Sequence, residues 1–278
     1  MIESIETLQA LHKYKTMGQA ATSLRITQST VSKRIKSLEE LLERKLLVQQ
    51  GRYVHLTTEA LLFLKQVQPH VLGIKDALSQ HQDVQEMQVD FGFSESILSS
   101  WGCDLIQNMQ KSRSPISIIP HAHRGPVVAD KIRSGQYLFG ICPGDDNPPR
   151  DLMSIDLGLE KMVLMGKSLE KSLPLMTVEP TSETWRSMAN QAKKLDLTPD
   201  SYLEFFTPIA KLAKFGIVRG LVPLGVAREV KGKVQIKNTK LSRKIILLTR
   251  KTTYYRNDLK SFIDSVVQNS QKLLKDLS

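Results

Sequence analysis

The first sixty residues limit the fold more than any other part of the chain, because their apolar period changes from helical to alternating within a short span. Ile5, Leu8 and Leu11 recur every three residues and Tyr14 continues the stripe, which marks one face of a short helix. A second helix fits Met17 to Leu24, with Ala20, Ala21 and Leu24 inward, and its two small residues let another helix approach closely. Thr27 has the chemistry of an N-cap, and Val31, Ile35 and Leu38 follow at helical spacing. Leu46-Leu47-Val48 and Tyr53-Val54-His55-Leu56 then read as two short strands joined through Gln50-Gly51-Arg52, a small β-wing. The expected unit is a winged helix-turn-helix over residues 1–58.

The outer face of the third helix carries Gln28, Ser29, Thr30, Ser32, Lys33, Arg34 and Lys36. Short polar side chains near a helix start can reach base edges in a major groove, and the cations can neutralise phosphates. Thr27 at the helix start and Arg52 at the tip of the wing complete the expected DNA-binding set. A generic basic helix is more often a solvated face. Here pattern, spacing and turn chemistry agree, which favours DNA binding. The formal net charge of +11 also favours a polyanionic partner without choosing among them. It is not confined to this unit: residues 1–60 hold nine Lys/Arg against six Asp/Glu, and the chain from Lys231 onward holds twelve against three.

Residues 16–39 resemble the DNA-binding signature of LysR-type transcriptional regulators. Ala20-Ala21, Leu24, Gln28-Ser29, Val31-Ser32, Ile35 and Leu38-Glu39 carry the likeness, and the wing ending in Leu56-Thr57 has the same length. Three places depart from the family pattern. Glu43 stands where glycine is usual, Leu47-Val48-Gln49 replaces Phe-Glu-Arg, and Thr58-Glu59-Ala60 replaces Glu-Ala-Gly.

Residues 59–85 are expected to form a linker helix and hinge. Leu61, Leu64, Val67, Val71, Ile74 and Leu78 make a stripe at spacings of three and four, Pro69 interrupts the backbone bonding, and His81-Gln82-Asp83 begins a polar hinge. The resemblance implies pairing of this helix with a second subunit, as a homodimer or homotetramer. Packing against its own domain is the plainer alternative.

From residue 86 the pattern becomes strand–helix–strand, which implies a parallel α/β sheet. The resemblance implies an effector domain similar to periplasmic solute-binding proteins. Its two α/β subdomains are expected at about 86–157 with 250–278 and at about 158–249, with crossovers near 154–160 and 247–252. Ligands in open α/β sheets bind beyond the carboxyl ends of strands. The candidate effector residues are therefore Ser94, Glu95, Ser96, His121, His123, Cys142, Pro143, Gly144, Thr181, Ser182 and Thr207. The helix start after Ser94 and Ser96 suits an anionic small molecule.

No phosphate loop, nucleophile elbow or zinc-ligand spacing occurs, so no enzyme, metal or cofactor is expected. Cys103 and Cys142 leave open a thiol redox sensor, against the plainer reading of two buried apolar thiols. A ligand-blind DNA-organising protein is the other alternative. With no leader and no apolar run of membrane length, a cytoplasmic protein without membrane contact is expected.

Overall fold

A computed structural model describes residues 1–79, 87–112, 114–144, 149–230 and 232–277. The chain divides into two compact units, Met1–Lys75 and Asp76–Ser278. In the first, α1 (Ile2–Tyr14), α2 (Met17–Leu24) and α3 (Gln28–Leu42) precede an antiparallel hairpin of β1 (Leu47–Gln50) and β2 (Tyr53–Leu56). Leu8, Leu11, Ala20, Val31, Ile35, Leu38 and Leu46 are buried together. Each large side chain there contributes about 1.5–3 kcal/mol relative to exposure. The Thr16 hydroxyl accepts from the Gln19 N–H at 3.3 Å and the Thr27 hydroxyl from the Thr30 N–H at 3.2 Å, which fixes where α2 and α3 start. The wing is tied to the end of α1 by the Val54 N–H, which donates to the Lys15 carbonyl at 2.8 Å.

The helix α4 (Thr58–Ser79) runs unbroken through Pro69. Its apolar stripe divides. Leu64 and Val71 are buried in the core of the first unit, whereas Leu61, Ile74 and Leu78 are 42%, 46% and 71% exposed. Packing on its own domain therefore accounts for only half of the stripe. The hinge expected at His81-Gln82-Asp83 lies outside the described residues.

The second unit carries an eight-stranded sheet. Its strands are β3 (Met87–Ser94), β4 (Ile116–His123), β5 (Phe139–Gly144), β6 (Leu152–Gly166), β7 (Leu175–Val178), β8 (Ser201–Leu203), β9 (Arg219–Pro223) and β10 (Gln235–Arg250), in spatial order β4-β3-β5-β10-β6-β9-β7-β8. After β3 come α5 (Glu95–Ile97), a π-helical turn (Leu98–Gly102) and α6 (Cys103–Lys111). The remaining helices are α7 (Gly125–Arg133), α8 (Glu183–Lys194), α9 (Phe206–Phe215), α10 (Leu224–Glu229), α11 (Lys251–Tyr254) and α12 (Asn257–Asp276). Two separate cores define two halves. One gathers Phe91, Phe93, Phe139, Leu247 and Phe262, and the other gathers Met162, Met188, Ile209, Leu221 and Val222.

Pairing is parallel at β3–β4, β3–β5, β7–β8 and β7–β9, but the strands that join the halves are antiparallel to their neighbours. The all-parallel expectation missed this, because β6 and β10 are long strands that pass from one half to the other. Residues 154–160 were expected as a crossover, and they lie inside the continuous strand β6. It stays continuous because Gly158 takes φ 125° beside a register shift at Ile245/Ile246. In β10 the register shifts between Asn238 and Ser242, and residues 244–249 pair with β5. The second passage therefore lies earlier than the expected 247–252, and residues 244–249 belong with the first half.

Candidate nucleic-acid interface and ligand cleft

The face of α3 follows from its cap and its helical period. Ser29, Ser32, Lys33 and Lys36 fall at positions i, i+3, i+4 and i+7 and are all exposed, as is Arg52 on the wing. Gln28 is exposed at the start of the helix beside Gly18, where a Cβ would stand 3.1 Å from its amide nitrogen. Several expected contacts have other partners, Lys36 among them through Glu40 at 3.9 Å. The Thr27 hydroxyl is occupied as the cap and lies 2.8 Å from both the Ser29 and the Thr30 hydroxyls. The Arg34 guanidinium forms an ion pair with Glu3 of α1, and its side chain is only 22% exposed. Arg34 lies on the flank of α3 that packs toward α1, so its charge is already partly compensated. Behind the face, Glu39 joins α3 to the wing. Burial would raise the Glu39 carboxyl, but donation from the Leu46 N–H at 2.8 Å and from Lys45 at 3.1 Å holds it below its ordinary value.

In the second unit a cleft with about 60 Å³ of free space opens where β3, β4 and β5 end against α8 and the start of α9. Of the expected residues, Ser94, Glu95, Ser96, His123, Pro143 and Ser182 line it. Thr207 stands beside it and donates to Glu95 Oε1 at 2.5 Å. Cys142 and Gly144 instead line a neighbouring hollow with Pro143. Thr181 is exposed and donates to Glu179. His121 is outside the cleft because Asp90, across the β3–β4 ladder, takes its Nε2 at 2.6 Å while its ring stacks on Tyr137. His123 Nε2 lies 2.8 Å from the Tyr137 hydroxyl, and burial, with Lys131 and His121 nearby, pushes this imidazole below its ordinary value.

The sequence reading missed Arg124, Glu183, Glu204, Phe205, Phe206 and Arg243, all of which line the cleft. Arg124 at the head of α7 spans the opening to Glu179 at 3.3 Å and Glu204 at 3.5 Å. Arg243, in β10, is 1% exposed and meets fully buried Glu160 of β6 through two bonds to Oε2, at 2.7 and 2.9 Å. It also donates to Ser96 at 3.0 Å and lies over the Phe206 ring. Burial, reinforced by the charge of Glu183, pushes the Cys142 thiol up to about 12, so it holds no thiolate at neutral pH. Cys103 is exposed and donates to the Leu98 carbonyl. Among the described residues no cluster of His, Cys, Asp or Glu could hold a metal ion, and no helix is long and apolar enough to cross a membrane.

Residues 2–61 match the family described as bacterial regulatory helix-turn-helix protein, lysR family. An uncharacterized HTH-type transcriptional regulator of Vibrio cholerae serotype O1 is 29% identical over 238 residues, covering 83% of this chain and 81% of that protein. Among solved structures, a full-length OxyR variant from Pseudomonas aeruginosa superposes with a TM-score of 0.75 at 14% identity, over 99% of this chain and 96% of that one. Full-length LysG from Corynebacterium glutamicum, solved with bound effector Arg, superposes with a TM-score of 0.64 at 15% identity, over 98% of each chain. At these identities the structural likeness shows a shared fold along the whole chain.

Proposed function

We propose that this chain is a DNA-binding transcriptional regulator of the LysR type, which reads a duplex through the exposed face of α3 and answers to a small molecule held in the cleft of its second unit. The observation that carries the DNA reading is the capped start of α3 with Ser29, Ser32, Lys33 and Lys36 exposed on one face. Gln28, Ser29 and Ser32 read base edges, while Lys33, Lys36 and Arg52 hold phosphates. Arg34 holds α3 against α1 through Glu3 and has a smaller share of phosphate binding than its charge suggests.

The cleft serves as the effector site. Its lining joins two halves that are linked by β6 and β10, so a bound molecule can change the angle between them. LysG was solved with its effector Arg, which supports ligand control in a chain of this fold. The exposed part of the α4 stripe, Leu61, Ile74 and Leu78, provides a face for a second copy, giving a homodimer or homotetramer that acts in the cytoplasm. With Cys142 held as a thiol, ligand control is better supported than redox sensing.

Duplex affinity measured across a salt series tests the assignment. Lys33→Ala is expected to weaken binding to every duplex and to reduce the salt slope by about one. Ser29→Ala is expected to narrow the gap between preferred and random duplexes. A Ser29→Ala protein whose preference is unchanged, with Lys33→Ala leaving the slope intact, contradicts the use of this face.

A further inference from the structure

The cleft is acidic in a protein whose net charge is strongly positive. Its two arginines are already compensated. Arg243 is paired with buried Glu160, and Arg124 is shared between Glu179 and Glu204. His123, held below its ordinary value, adds no full charge at neutral pH. That leaves Glu95 and Glu183: among the described residues the first forms no ion pair and the second only the long one to Arg186. Glu95 Oε1 accepts from Thr207, but its Oε2 is buried and has no hydrogen-bond partner. Glu183 stands with Oε2 3.2 Å from where a Cβ on Gly125 would lie, and its nearest cation, Arg186, is 3.9 Å away.

A buried carboxylate oxygen without a donor carries a desolvation cost that a ligand donor would remove. The helix starts at Gly125 and Glu183 oppose a cation, but each supplies only about half a positive charge against two full carboxylates. The Ser182 hydroxyl already serves the second of these starts, accepting from the Trp185 N–H at 3.1 Å.

We propose that the effector is a small organic cation, whose ammonium or guanidinium group donates to Glu95 Oε2 and to Glu183. This rests on reading the cleft as the effector site, and it replaces the anion that the helix start alone would favour. The aromatic ring of Phe206 and the apolar side of the cleft, Val178 and Pro143, would cover the ligand's carbon chain. Because Glu95 and its partner Thr207 come from opposite halves, a cation there adds a bond across the cleft.

The test is the melting temperature and calorimetric affinity of the full chain at constant ionic strength. The probes are L-arginine, agmatine and putrescine against the anions succinate and benzoate. Binding by a cation, weakened about tenfold or more by Glu95→Gln and by Glu183→Gln in proteins with unchanged circular dichroism, is the expected result. Agmatine against L-arginine separates a simple amine from an amino acid. Binding by an anion alone, lost in Arg124→Ala, overturns the charge assignment and keeps the cleft as the effector site. Cation binding that all these variants leave unchanged overturns both, since the site then lies elsewhere. Silence from every cation also overturns the proposal.

Discussion

At the scale of single residues, the end of α3 carries a structural cost. Glu43 ends α3 with φ 53°, a left-handed conformation that a side chain disfavours. Lys15 and Arg25 end α1 and α2 in the same way, at φ 63° and 55°. Glu43→Gly is therefore expected to raise the stability of the intact protein by about 1 kcal/mol, seen as a higher melting temperature, since the relief of strain outweighs the added freedom of the unfolded chain. Glu39 sets a pH dependence. Its folded carboxyl lies below its unfolded value, so its contribution is complete above the unfolded value and is lost as pH falls through the folded one. Denaturation followed through the acid range should show Glu39→Gln less stable near neutrality and closer to the native protein at low pH. A constant difference at every pH would contradict this. The cap Thr27 was legible because a hydroxyl residue precedes a helical period. The left-handed ends were not, because glycine, the usual mark of such an end, is replaced by a charged residue at all three.

At the scale of elements, α3 and the wing were readable because period and turn residues agree locally. The cleft was readable only in part. Ser94, Ser96 and Ser182 sit where a strand period gives way to a helical one, so their place at strand ends could be inferred. Arg124, Glu204 and Phe205 stand singly in loops or at helix starts, and nothing local marks them as neighbours. The short strands β7 and β8, four and three residues long, give too few positions for a period. Glu160 and Arg243 lie inside long strands whose alternation gives no hint that two charges meet, yet they form a buried pair where β6 and β10 pass between the halves. Removing either partner strands the other charge in the interior. Glu160→Ala is expected to cost about 3–5 kcal/mol in chemical denaturation, and replacing both by apolar residues of similar volume should restore most of it. A single variant losing under about 1 kcal/mol would show the pair to be dispensable.

For the whole molecule, the sequence suggested units at 1–58 and 86–278 joined by a linker at 59–85, whereas the chain divides between Lys75 and Asp76 inside that linker, and the passage between the two halves of the second unit had to be read from strand pairing. At the boundary of that unit, Asp76 is 4% exposed and is bonded by Thr252 at 2.7 Å, Thr253 at 3.0 Å, Arg250 at 3.3 Å and Arg256 at 3.4 Å. Within the second unit these bonds hold Asp76 against the end of β10 and the residues that follow it. The division of labour follows from this arrangement of parts: an exposed polar and basic helix face in one unit, and a lined cleft with paired charges in the other. The most direct test of the central claim is selection of bound fragments from genomic DNA by the purified protein at physiological salt, with Lys33→Ala in parallel. A sequence-specific regulator retains a few intergenic fragments that share an inverted repeat, and Lys33→Ala retains them less well. Uniform, salt-sensitive retention of all fragments would instead describe a non-specific DNA-organising protein and would contradict the role given to α3.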